Sequence, residues 1–122
     1  MQYLVQLHLS SSSRPTSQKE GISLMEEYIL HTLERCKKLQ EEKKILAGGP
    51  TSGAIALALI VNAESAQELD ELITSLPIWP RMETQVIPLT TFEARRRALL
   101  PRLEQLKAQA REGRPSASGG DP

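Results

Sequence analysis

The chain is poor in the residues that usually announce a function. It has one cysteine, Cys36, so it cannot form an internal disulfide. Cys36 falls on the apolar side of a predicted helix and reads as a reduced, buried thiol. Its two histidines, His8 and His31, have no short His, Asp or Glu spacing around them, so no metal site and no cofactor is implied. Charge of one sign is lacking too: 15 Lys and Arg balance 15 Asp and Glu. A net charge of zero argues against a nucleic-acid partner. The longest strongly apolar run, Ala54 to Val61, falls far short of the roughly 20 residues that span a bilayer, so no membrane partner is expected. Met1 to Ser10 has no basic start and turns polar early, which does not fit a targeting segment. These absences leave a soluble, cytoplasmic protein of one domain, long enough at 122 residues to bury a core.

What is present is a regular order of elements. Tyr3, Val5, Leu7 and Leu9 alternate with Leu4, Gln6 and His8, a strand pattern. A serine-rich loop follows. Capping boxes at Ser17/Glu20 or Ser23/Glu26 then open a helix, Gly21 making the later start plausible, and its apolar positions recur up to about Lys43. Ile45 to Ala47 reads as a short strand that ends in a turn from Gly48 to Gly53. Ala54 to Val61 is apolar on both faces, as in a central strand. Ser65 with Glu68 caps a second helix with Leu69, Leu72, Ile73 and Leu76 inward. Pro77 and Pro80 then bracket Ile78 and the only Trp, Trp79. This predicts a helix stop, a rigid corner and a last strand from Met82 to Leu89. Thr90 with Glu93 opens a third helix with Phe92, Leu99, Leu100, Leu103 and Leu106 as its stripe, which Pro101 should kink or divide. Residues 113–122 have the composition of a disordered tail, leaving a domain of 1–112.

The order is β-α-β-β-α-β plus a terminal helix, the ferredoxin-like α+β arrangement with an antiparallel sheet and helices on one face. Helices on one face would leave the other apolar face of the Ala54–Val61 strand in water. Two sheets facing each other in a homodimer would cover it, as would the third helix folding back.

The corner Leu76-Pro77-Ile78-Trp79-Pro80 and the strand Met82 to Leu89 resemble the end of the muconolactone isomerase family, where a Leu-Pro-Leu-Phe-Pro segment precedes a comparable strand. Gly48-Gly49-Pro50 is similar to a segment of the related YCII-type proteins. The resemblance implies a dimeric α+β barrel and a small cofactor-independent enzyme that moves protons on an oxygenated lactone or acid. Gln6 stands where that family has a basic residue in its first strand, and Lys43 to Ala47 replaces its Trp- and Arg-rich segment. The alternative is therefore a non-catalytic small-molecule-binding or assembly protein that keeps the barrel.

Moving a double bond beside a lactone carbonyl needs a base and donors for the enolate oxygen. Glu83 is the candidate base, on the same strand face as Gln85 and Ile87. It looks either into the sheet-to-sheet space or, at the rim, into water or toward Arg81. In the usual strand order the first and last strands are neighbours, so His8 and Gln6 could join Glu83 and Gln85, with His8 shuttling a proton. Tyr28, His31 and Arg35 can line one edge of the first helix, and Tyr28 and His31 join the candidate substrate-binding set with Gln6, Gln85, Trp79 and Arg81. Trp79 fits equally into the core or a dimer seam. Gly48, Gly49 and Gly53 lack the Lys-Ser/Thr ending of a phosphate loop, and Arg95-Arg96-Arg97 reads as a solvated helix face.

Overall fold

The computed structural model describes residues 1–113, and the chain divides into two compact units, Met1–Leu89 and Thr90–Pro122. Of the expected tail, all but Gly113 lies outside the described residues. The first unit holds four strands: β1 (Gln2–Leu9), β2 (Ile45–Pro50), β3 (Ala56–Asn62) and β4 (Met82–Pro88). Their order across the sheet is β2-β3-β1-β4, with every neighbouring pair antiparallel. This is the expected ferredoxin-like order.

Alternation along β1 sets the layers. Tyr3, Val5 and Leu7 lie opposite Val61, Leu59 and Leu57 of β3, and all six are buried. Their core is completed by Leu39 and by Leu69, Leu72, Ile73 and Leu76, so the helices occupy this one face. Cys36 is half-buried against that core, and burial pushes its thiol pKa up.

The first helical stretch starts at the earlier of the two expected caps, as α1 (Gln18–Ser23), because Ser17 and Glu20 cap it. The Ser17 hydroxyl accepts from the Glu20 N–H at 3.1 Å, and Glu20 Oε2 accepts from the Thr16 N–H at 3.1 Å. Gly21 simply sits within that helix, and Ser23 donates to Glu27 instead of capping. Before α2 (Leu30–Glu41), the backbone widens into a π-helical segment over Leu24–Ile29. Leu24, Thr32 and Leu39 are its buried positions, whereas Met25 and Leu33 are exposed.

The expected turn at Gly48 is instead strand. Register shifts between Ile45 and Ala47, and Gly48 pairs with Leu59 at φ 109°. A Cβ there would sit 2.1 Å from the Ala58 carbonyl oxygen, so the close approach of β2 to β3 requires glycine. The chain reverses after Pro50, through Gly53 at φ 80°. Helix α3 (Ala66–Thr74) begins as expected, with Ser65 accepting from the Glu68 N–H at 3.1 Å.

At the proline corner the chain makes one 3₁₀ turn, Trp79–Arg81. Ile78 enters the interior, and its N–H donates to the buried Thr32 hydroxyl at 3.0 Å. Trp79, for which a place in the core was one expectation, is 37% exposed. The Thr32 anchor holds Ile78 inward, and the neighbouring indole faces outward.

The second unit is described by α4 (Phe92–Arg111). Its N-cap is Thr91, one residue later than expected, accepting from the Ala94 N–H at 3.0 Å. Pro101 lies inside a helix that continues through it rather than dividing.

Candidate active site on the open face of the sheet

The strand register places the polar candidates in rows. On the sheet face opposite the helices, His8 lies between Glu83 of β4 and Ala56 of β3. The next row holds Gln85, Gln6, Ala58 and Gly49, and the one beyond holds Ile87, Leu4, Ile60 and Ala47. His8 Nε2 lies 2.6 Å from Glu83 Oε2. A carboxylate can only accept, so the ring nitrogen donates. Both side chains are 63% exposed.

A step in side-chain size produces the concavity beside this pair. On this face strand β1 carries the long side chains of Gln6 and His8, whereas opposite them β3 carries Ala56 and Ala58. The resulting depression, about 240 Å³, is lined by Gln6, His8, Thr51, Ala56, Ala58 and Gln85 among others. Three of the residues singled out from sequence thus border one hollow, and a fourth, Glu83, is bonded to it through His8.

The remaining candidates are placed elsewhere. Arg81 turns to the helix side, its guanidinium carbon 4.4 Å from the Tyr28 ring centroid. It lines a small polar pocket of about 100 Å³ with Ser13, Glu20 and Ser23. The Glu20 carboxyl there is held below the usual range, first by the Thr16 hydroxyl and then by the Thr16 N–H. His31 stands on the exposed side of α2, 3.8 Å from Glu34, and Arg35 donates to Ser75 at 3.3 Å. Tyr28, His31 and Arg35 therefore have three different partners. Trp79 stays at the corner.

A second cavity, about 160 Å³, runs between helix and sheet, lined by Ile29, Thr32, Leu33, Ile55, Ile78 and Met82 among others. Sequence reasoning missed it, since its walls are ordinary apolar residues with no distinguishing spacing. Its lining has no acid, base or charged group, so it can hold an apolar moiety but cannot move a proton. Among the described residues, no cluster of three His, Cys, Asp or Glu could hold a metal ion, and no helix is long and apolar enough to cross a membrane.

A sequence profile for muconolactone delta-isomerase matches residues 1–95. The chain belongs to the muconolactone delta-isomerase family. That match takes in all four strands and stops just inside α4. No curated protein matches the sequence. Among solved structures, a muconolactone isomerase is similar at 19% identity and TM-score 0.59, over 75% of this chain and 90% of its own. So is 5-chloro-2-hydroxyhydroquinone dehydrochlorinase (TftG) from Burkholderia phenoliruptrix AC1100, in complex with 2,5-dihydroxybenzoquinone, at 24% identity and TM-score 0.54, over 77% of this chain and 98% of its own. Both likenesses are of fold. The family's α+β architecture is present here with a terminal helix added.

Proposed function

We propose that the open-face His8–Glu83 pair is a cofactor-independent proton-transfer centre acting on a small oxygenated ring, an isomerase-type chemistry. The observation that carries this reading is the 2.6 Å contact between His8 and Glu83 beside a hollow bordered by Gln6 and Gln85. Glu83 accepts a hydrogen bond from Nε2–H of His8, which leaves Nδ1 as the ring's proton acceptor. A substrate C–H next to a carbonyl loses its proton to the pair. The bonding electrons move into the enolate, whose oxygen would take hydrogen bonds from the Gln6 and Gln85 side-chain amides. A proton delivered by the pair to the far carbon of the enolate shifts the double bond and regenerates the pair; with both side chains open to water, that proton exchanges with solvent before delivery. Glu83, singled out as the base, acts in this scheme through the imidazole and steadies its positive charge.

The ring class is supported by the family and by the neighbours, whose names speak of a lactone and of a hydroxylated quinone. Water exclusion would come from a second copy laid sheet to sheet over the open face, a homodimer in a cytoplasmic setting. The alternative, a binding or assembly protein with the same barrel, is favoured by one observation: the pair is largely in water within a single chain. Titration of the protein with 2,5-dihydroxybenzoquinone under NMR tests which site takes a ring of this class. Shifts confined to His8, Gln6, Gln85 and Ala58 support the open-face site. Shifts confined to Thr32, Ile55 and Met82 would move the ligand to the apolar cleft and end this proposal.

A further inference from the structure

Helix α4 is mostly outside the family match, which ends at residue 95, so its surface answers to a need that the shared fold does not have. Phe92, Arg96, Leu99, Leu103, Leu106 and Ala110 recur at alternating spacings of four and three, the a/d seam of a coiled coil. This seam faces water: Phe92 is 98% exposed, and Leu99, Leu103 and Leu106 are 52%, 44% and 39% exposed. Pro101 falls at the heptad position on the outer side of the helix. Neither its ring nor its missing N–H reaches the seam.

We propose that α4 is a self-association helix whose seam packs antiparallel on α4 of a second copy of this chain. The residues themselves decide both occupant and direction. In a parallel pair, Arg96 would meet the partner's Arg96 in the seam, an unpaired double charge that desolvation penalises heavily. The flanks would set Arg102 against the partner's Lys107, another like pair. Reversing one helix removes both conflicts. Phe92 then lies opposite the partner's Ala110, large against small, and Leu99 opposite the partner's Leu103. Arg96 lies beside the partner's Leu106, which separates the two guanidinium groups. On one flank Leu100 meets the partner's Leu100, and Glu93 reaches the partner's Lys107 twice over, by symmetry. Glu93 and Lys107 are available for this, since their contacts within the helix, to Arg97 and Glu104, are long at 3.9 and 4.0 Å and exposed. Arg102 meets the partner's Arg102 on the opposite flank and is the one like-charge contact left, at the solvent edge. The inference requires nothing of the His8–Glu83 site, and the two stand or fall separately.

Disulfide trapping in the full chain tests both contact and direction. In a Cys36→Ala background, Phe92→Cys with Ala110→Cys should give a covalent dimer on mild oxidation, while either single variant gives none. Dimers from the single variants would show a parallel pair and overturn the direction. An absence of dimer from the double variant above its controls would overturn the contact. Light scattering of the chain carrying Leu99→Glu and Leu103→Glu, both exposed positions, should show the largest assembly reduced about twofold in mass. An unchanged mass, or binding of α4 to anionic phosphatidylserine vesicles without self-association, would overturn the proposal.

Discussion

One sheet presents two faces built on opposite rules. On the helix side, Val5, Leu7, Leu59 and Val61 interlock with Leu39, Leu72 and Leu76, and hardly any of their surface meets water. On the other side the same β1 backbone presents Leu4, Gln6 and His8, and the β3 neighbours of Gln6 and His8 shrink to alanines. Period-two alternation couples the faces. Register that buries one set necessarily displays the other, so core packing positions the polar row as accurately as the core itself. The covered face supplies stability, and the open face can spend side chains on chemistry because little of the fold depends on them.

That contrast can be broken from the covered side with the largest effect. Leu7→Ala, which empties a position only 1% exposed, should cost about 3 kcal/mol in urea unfolding, whereas Gln6→Ala next to it should stay within about 0.5 kcal/mol. Equal costs at both positions would mean that the faces are not energetically distinct. Gly48→Ala comes next, at roughly 2 kcal/mol or more, because its Cβ would meet the Ala58 carbonyl at an unfavourable φ. Loss of amide-exchange protection along β2, with β1 and β4 still protected, is the expected signature. Thr32→Val should cost about 1–3 kcal/mol by leaving the Ile78 N–H without its acceptor, and a melting curve reads it. Cys36 gives the smallest effect. Burial raises its thiol pKa, so less thiolate exists at pH 8 than for a free cysteine, and iodoacetamide should label it more slowly in the native than in the urea-unfolded chain.

The covered face was also the more legible one. Alternation in β1, the apolar run of β3, the Ser65–Glu68 cap and the two-proline corner made the strand order and core legible in the sequence. The pairing of His8 with Glu83 was legible for the same reason, since it follows from β1 and β4 being neighbours. Features that depend on close backbone approach were not. Nothing in Gly48-Gly49-Pro50 distinguishes a bulged strand from a turn, because glycine permits both. Which corner residue turns inward depends on Thr32, which is remote in sequence, and so Ile78 and Trp79 could not be told apart. The π-helical segment at Leu24–Ile29 left no mark in the spacing of apolar residues, and the choice between the Ser17 and Ser23 caps stayed open because Gly21 made the later start plausible.

The central claim is that the open face carries the chemistry and the covered face does not. Its most direct test is solvent-deuterium incorporation into muconolactone, followed by NMR, with wild type, Glu83→Gln and His8→Asn compared at matched thermal stability. The account expects incorporation by the wild type and at least about a 100-fold loss in both variants, the scale of a removed general base, with melting temperatures unchanged. Incorporation at wild-type rates by either variant would contradict it and return the open face to a binding or assembly role.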